Sequence, residues 1–216
     1  MNAPQSLKLP EFGAPFEGGF VADVIRQTDG LYAIIVAPKA EGQLLLPWNA
    51  SYDRVEGALS FVDGLANTKA MATAGSELAQ RILDLRIAGR DDWYLPALDE
   101  TERLYRRLKP SADKNAQWAR SGINLSSEHP SHPYTPDEPA QTTVEAFRTG
   151  EKFRNDGKEA FDQDVYWTST QSAADDDCAW VQTFDDGNQS YWHKDYRNRG
   201  RAVRRFLIQQ FNDSTI

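Results

Sequence analysis

Histidine, aspartate and cysteine side chains lie close enough along this chain to suggest three kinds of chemistry. His193 and Asp195 flank Lys194, and on a strand that spacing puts an imidazole and a carboxylate on one face, as a hydrolytic triad requires. No Ser or Cys elbow motif supplies the nucleophile, so no catalytic residue is assigned and the chain is not expected to be an enzyme. His129 and His132, with Glu128, Asp137 and Glu138, carry the donor types of a zinc site. They lie among Pro130, Pro133, Pro136 and Pro139, without helical i, i+4 spacing or a Cys partner, and a solvated loop is expected instead. The clusters Asp175-Asp176-Asp177 and Asp185-Asp186 offer oxygen atoms to calcium, but neither has EF-hand spacing and both suit turns. No metal and no cofactor is expected.

The chemistry left is recognition. Ser190, Tyr191, Trp192, His193, Asp195, Tyr196, Arg197 and Asn198 mix large amphipathic rings with adaptable hydrogen-bonding groups, the combination found in antibody paratopes. These residues are the candidate ligand-binding site, within a segment spanning about residues 171–200. Ordinary sheet packing is the competing account, since Tyr and Trp favour strands and cross-strand pairs. Trp167 and Trp180 stand among small residues and are expected in the core, as is Cys178. Arg199, Arg201, Arg204 and Arg205 resemble a basic patch. On a strand Arg199, Arg201 and Arg205 share a face, and Asp175, Asp176, Asp177, Asp185, Asp186 and Asp195 can neutralise them.

Strands must carry that segment. β-rich runs are predicted at residues 165–169, 179–184, 189–194 and 202–208, joined by turns at Asp175-Asp176-Asp177 and Asp185-Asp186-Gly187-Asn188. Near the N-terminus, residues 20–25 and 31–36 flank Thr28-Asp29-Gly30 as a hairpin, and a short strand at 43–46 ends at Pro47. Helices are predicted over 60–73, with Gly64 counting against it, then from a Ser76 cap to Gly89, then over 97–109. The last has Asp99, Glu100 and Glu102 in its first turns, Arg106, Arg107 and Lys109 in its last, and Leu104, Tyr105 and Leu108 on its buried face. Strands, then helices, then strands imply an α+β fold with an antiparallel sheet and two main helices. Residues 111–164 lose periodicity and read as a long irregular insertion, and residues 1–15 as an N-terminal arm, leaving 16–216 as a single domain.

The whole chain narrows the options. Its 216 residues suit one compact domain. With 24 Lys and Arg against 32 Asp and Glu, the net charge of −8 disfavours nucleic-acid binding, which needs a cationic face. Cys178 is the only cysteine, so no intrachain disulfide forms and folding in a reducing cytoplasm is expected. The N-terminus shows no leader pattern and no apolar run has spanning length. No membrane insertion is expected, and an extracellular role would require lysis or export within a larger particle such as a virion.

Trp93-Tyr94-Leu95-Pro96-Ala97-Leu98-Asp99-Glu100, then Tyr166-Trp167-Thr168-Ser169-Thr170, Ala179-Trp180 and Arg201-Ala202-Val203-Arg204 together resemble the Lcl C-terminal-like domain family. The resemblance implies a C-type-lectin-like fold and phage or prophage origin. The calcium-holding Glu-Pro-Asn and Trp-Asn-Asp signatures of sugar-binding lectins are absent. Residues 185–205 are also similar to variable proteins of diversity-generating retroelements, in which adenine mutation rewrites Asn codons on a lectin-like scaffold. Ser190, Tyr191, His193, Asp195, Tyr196, Arg197 and Asn198 fit that pattern, whereas Trp192 departs from it, because its codon ends in G. What the resemblance implies is a receptor-binding protein with a protein or glycan ligand on a cell surface. The alternative is a structural virion or assembly protein whose aromatic surface meets its own oligomer or other virion proteins.

Overall fold

The two-residue turn at Thr28 and Asp29 folds the N-terminal apolar runs back on each other. In a computed structural model of the chain, which describes residues 9–116, 124, 133–150 and 157–211, strand β1 (Pro15–Phe16) pairs with β2 (Gly19–Gln27), and β2 with β3 (Gly30–Val36). The C-terminal strand β9 (Val203–Gln210) runs antiparallel to β3, completing a four-stranded sheet of order β1-β2-β3-β9. Gly30 does more than end the turn: a Cβ there would collide with the Gln209 carbonyl of β9. Leu9 packs on the first core, and Gly13 N–H donates to the Val21 carbonyl (2.7 Å). From residue 9 onward the predicted arm therefore lies against the domain; residues 1–8 are outside the described residues.

This sheet is buried on both faces. Val21, Ala33 and Ile35 enter one core with Trp48, Leu78, Ile82, Trp93 and Trp167, while Ala22, Ile34 and Val36 enter a second with Tyr94, Leu104, Tyr105, Leu108, Phe161 and Phe184. A strand covered on both sides has no polar face to show, which is why residues 31–36 are almost uniformly apolar.

Between the hairpin and β9 come α1 (Lys39–Gly42), β4 (Gln43–Pro47), α2 (Gly64–Thr73), α3 (Glu77–Leu83), α4 (Leu98–Leu108), a 3-10 turn at Glu145–Phe147, β5 (Val165–Gln171), β6 (Cys178–Thr183), β7 (Gln189–His193) and β8 (Arg197–Arg201). The second sheet has the order β4-β8-β5-β6-β7. The fold is α+β, as the order of elements implies, but with two sheets rather than one, and β5 meets β8 in parallel at Tyr166 and Arg199. β8 is a strand that the periodicity did not reveal, because Arg197-Asn198-Arg199-Gly200-Arg201 has no apolar alternation. Its register comes from β4, which pairs with it from Gln43 and Arg201 to Pro47 and Arg197.

Helix ends show the competition between local and tertiary terms. The run predicted over 60–73 becomes helical only at Gly64, where the Asp63 carboxylate caps the Ala66 N–H (3.2 Å). Gly64 counts against a helix in isolation, yet a Cβ there would strike the Glu100 carboxylate and, at 2.7 Å, the Leu95 carbonyl. Ser76 caps α3 as predicted. That helix stops at Leu83 rather than near Gly89; Ala88 and Gly89 instead take positive φ in a tight turn closed by Ile87 and Arg90.

The acidic first turn of α4 is buried, not solvated. Glu100 accepts from the backbone N–H of Ala97 (2.9 Å) and of Gly64 (3.2 Å) and from the Tyr94 hydroxyl (2.9 Å), tying the starts of α2 and α4 to the second core. Arg103 and Arg107 reach back to the buried Asp23 of β2. Beyond α4, Asn115 donates to the carbonyls of Thr135 and Pro139, and Phe147 and Phe161 sit in the second core. The described parts of the irregular stretch thus pack through side-chain to backbone bonds that carry no periodicity.

The arginines are ion-paired as expected, but with other partners. Arg199 takes Asp162 and Asp164, Arg201 takes Glu159, Arg204 takes Asp92 and Glu17, and Arg205 takes Asp63. Arg199 and Arg201 alternate on β8 and share a face as expected, but Arg205 does not join them, because β8 and β9 belong to different sheets.

Trp167 is buried, with its indole N–H on the Leu46 carbonyl (3.1 Å), whereas Trp180 is only half-buried. Its core assignment is corrected accordingly, since it faces the aromatic surface instead. In denaturant melts, Trp167→Ala should cost about 3–5 kcal/mol and Trp180→Ala about 1–2 kcal/mol; equal losses would contradict this placement.

Burial lifts the Glu100 carboxyl from 4.5 to about 7, against the opposing pull of Arg205 and the groups that donate to it. The folded state then binds its proton more tightly than the unfolded chain, so this group's stabilisation is full below the ordinary carboxylate range and is lost as pH rises through about 7. The loss is about 3 kcal/mol. Melts of wild type and Glu100→Gln across this window should converge on the acid side and diverge toward neutral pH, with the variant the less pH-dependent.

Candidate functional site

β7 forms one edge of the five-stranded sheet, and its neighbour β6 sets which side chains meet. The turn at Asp185, Asp186 and Gly187 fixes the register: Val181 opposite Ser190, Trp180 opposite Tyr191, Ala179 opposite Trp192 and Cys178 opposite His193. Gly187 has φ of 80°, and its Cα lies too close to the Tyr105 ring for any side chain. Asp186 accepts from the Asn188 N–H (2.9 Å), and Asp175 from the Asp177 N–H (3.1 Å). These carboxylates serve as turn acceptors.

After β7 the chain turns at once into β8, and this turn carries the centre of the site. Tyr196 N–H closes it on the His193 carbonyl (3.1 Å), Lys194 N–H bonds the Asp177 carbonyl (2.9 Å), and the Lys194 carbonyl accepts from Asn49 N–H (3.3 Å). Lys194 itself is buried. Its ammonium donates to the Asp53 carbonyl (2.7 Å) and the Gln171 side-chain oxygen (2.9 Å) and lies 5.1 Å from the Trp48 ring centroid. Desolvation lowers its pKa, with Asp176, Asp177 and Asp53 opposing. Gln171 accepts at the same oxygen from Val55 N–H (2.8 Å), so one amide ties the loop after β4 to the turn after β7.

Around that anchor the other side chains face outward. Tyr191, Trp192 and Tyr196 are 51%, 37% and 49% exposed, and His193, Asp195 and Arg197 are exposed as well. Ser190 is half-buried. Asn198 is not available: it is buried in β8 opposite Leu46. Its assignment to the ligand-binding set is corrected, for the same reason that β8 went unrecognised.

The rings meet edge to face. Trp192 and Tyr196 are 5.9 Å apart, His193 and Tyr196 5.9 Å, and Tyr52 and His193 6.1 Å, while Trp180 lies between Tyr191 (5.6 Å) and Phe61 (6.0 Å). Tyr191, Trp192, His193 and Tyr196 line an open cleft of about 310 Å³ with Asp175 and Cys178. Sequence reasoning missed Trp180, Tyr52 and Phe61. The turn-set register could have placed Trp180 beside Tyr191, but no local signal marks Tyr52 or Phe61, which arrive on a loop far away in sequence.

At the cleft floor, Cys178 Sγ lies 3.4 Å from Asp175 Oδ2 and 4.0 Å from His193 Nδ1. Burial and then the Asp175 carboxylate push the thiol up to about 11. It stays protonated near neutral pH and is not an activated nucleophile. Among the described residues no group of three His, Cys, Asp or Glu side chains is arranged to hold a metal ion. His129, His132 and Glu128 lie outside the described residues, as does any zinc arrangement built on them. No helix among the described residues is long and apolar enough to cross a membrane.

Lys194→Ala should cost about 2–4 kcal/mol, because it removes two buried hydrogen bonds and the packing on Trp48. Tyr191→Ala, Trp192→Ala and Tyr196→Ala should each stay within about 1 kcal/mol. Thermal melts of the four variants check the contrast; a mild Lys194 variant would remove the anchor from this description.

In comparisons with known proteins, the Lcl C-terminal domain model matches residues 43–204, from the first residue of β4 into β9. No curated protein and no solved structure matches the chain.

Proposed function

We propose that this chain, which belongs to the Lcl C-terminal domain family, is a ligand-binding protein that acts by recognition rather than catalysis. Its target is a protein or glycan on a cell surface, met through Tyr191, Trp192, His193, Asp195, Tyr196 and Arg197. The observation that carries this reading is the division of labour within one short segment: Lys194 and Asn198 are buried, while Tyr191, Trp192, His193 and Tyr196 line a cleft and Asp195 and Arg197 are exposed beside it. Exposed aromatic rings and arginine on a rigid base are the usual energetic centres of protein interfaces.

The scaffold in this proposal is C-type-lectin-like. Support comes from the two terminal strand regions, which share one sheet, and from a second sheet that presents the recognition segment at its edge. A phage or prophage receptor-binding role, with a retroelement rewriting the exposed positions, extends the same reading. It is supported by the tolerance expected of exposed side chains on a fixed frame. A reverse-transcriptase gene nearby and an adenine-rich imperfect copy of the DNA for residues 166–205 would test that extension.

The binding claim itself is tested with the triple variant Tyr191→Ala, Trp192→Ala, Tyr196→Ala beside wild type in cell-surface pull-downs and glycan arrays, each protein first shown folded by its melt. Wild type should capture a partner and the folded variant should lose it. Equal capture by both would move the ligand site elsewhere in the chain.

A further inference from the structure

Carboxylates without an ion pair lie at and near the aromatic cleft. Asp175 lines it, and Asp195, next in the chain to the lining residue Tyr196, is near enough to Tyr52 to raise the pKa of that exposed phenol. Asp177 adds to the field on Tyr52, and Asp53 is the neighbour of Tyr52 in the chain. Among the described residues no lysine or arginine forms an ion pair with any of these carboxylates. Of the nearby cations, Arg54 pairs with Asp176 and Glu56 and Lys194 turns inward to Gln171 and the Asp53 carbonyl, while Arg197 stays exposed and donates one N–H to the Leu45 carbonyl (2.9 Å). Asp175 accepts from the Asp177 N–H and the Cys178 thiol and Asp53 from the Ser51 hydroxyl, and these neutral donors leave the negative charge in place beside the exposed ring faces.

Resting on the ligand-binding reading above, we propose that the ligand is a protein presenting an arginine side chain, whose guanidinium enters the cleft between the Tyr191, Trp192 and Tyr196 rings and meets the carboxylates at its rim. A planar, weakly hydrated cation stacks on aromatic faces and keeps its edge donors for carboxylates, whereas a lysine ammonium must surrender a tighter hydration shell. An uncharged sugar could stack on the same rings but would leave the carboxylates without a counter-charge. The cleft volume of about 310 Å³ is at the small end of ligand pockets, a size that suits one inserted side chain.

The test uses the full chain and three immobilised peptides of matched length, rich in arginine, in citrulline or in lysine, at near-physiological salt, where the screening length is about 8 Å. Citrulline keeps the shape of arginine without its charge. Wild type should bind the arginine peptide saturably, the lysine peptide about five-fold more weakly, and the citrulline peptide not at all. The Tyr191, Trp192, Tyr196 triple-Ala variant keeps every charge, so its loss of binding would exclude long-range attraction by an acidic protein. Asp175→Asn, which preserves the turn acceptor, should weaken binding about two- to five-fold. No binding by wild type, equal binding of the citrulline peptide, or undiminished binding by the triple variant would each overturn the proposal. If wild type captures a cell-surface partner through these rings but excess arginine peptide fails to compete, the ligand class falls and the site stands. If the rings matter in neither assay, the binding reading falls with it.

Discussion

Strand β5 is buried along its whole length, yet four of its last residues, Thr168, Ser169, Thr170 and Gln171, are polar. A buried polar group without a partner costs about 1–3 kcal/mol, and so β5 dictates where its neighbours lie. Thr168 bonds the Trp180 carbonyl; Thr170 bonds the Ser60 carbonyl and accepts from Leu98 N–H; Ser169 N–H takes the Pro96 carbonyl and Gln171 N–H the Ala58 carbonyl. Two tryptophans lock the same strand to β4 and its sequel, Trp48 through the Thr168 carbonyl and Trp167 through that of Leu46. The loop before α2, the start of α4 and the site hairpin are all hung on one strand's hydrogen-bonding needs.

The exposed aromatic surface proposed for recognition is supported by that strand. Gln171, the last residue of β5, holds Val55 and Lys194 at a single oxygen, and Lys194 in turn fixes the turn that displays Tyr196 and Asp195. A ligand meeting this surface finds side chains on a positioned backbone, which reduces the ordering cost that weakens flexible binders. The buried lysine within an otherwise exposed run is thus part of the support, although its neighbours on both sides point to solvent.

Charge is arranged in two regimes. Arg103, Arg199, Arg201, Arg204 and Arg205 are drawn into carboxylates contributed by distant segments, stitching the irregular stretch and the terminal hairpin to the sheets. Around the cleft the carboxylates form no ion pair among the described residues, and Asp175 and Asp53 accept instead from a turn N–H, the Cys178 thiol and the Ser51 hydroxyl. The first arrangement stabilises the fold, and the second leaves a negative field where the rings are exposed, a field that steers and selects partners more than it adds raw affinity.

Local patterns were enough to place the hairpin of β2 and β3, the strand ended by Pro47, the Ser76 cap, the α4 span, the strands β5, β6, β7 and β9, and the exposure of Tyr191, Trp192, His193, Asp195, Tyr196 and Arg197. Each rests on a short-range rule: apolar runs, turn residues, caps, or the mismatch between polar-aromatic composition and a core. Tertiary structure alone decided that β8 is a strand, that Asn198 is buried and Trp180 half-exposed, which carboxylates the arginines take, and that Tyr52 and Phe61 join the site. Those outcomes depend on pairing between segments distant in sequence, more than a hundred residues apart for Leu45 with Arg199 or Arg201 with Ala37, and 37 and 42 apart for Arg199 with Asp162 and Arg201 with Glu159. Hydrogen-bond register and ion-pair choice at that separation are set by the packed neighbours and leave no periodicity in the residues themselves.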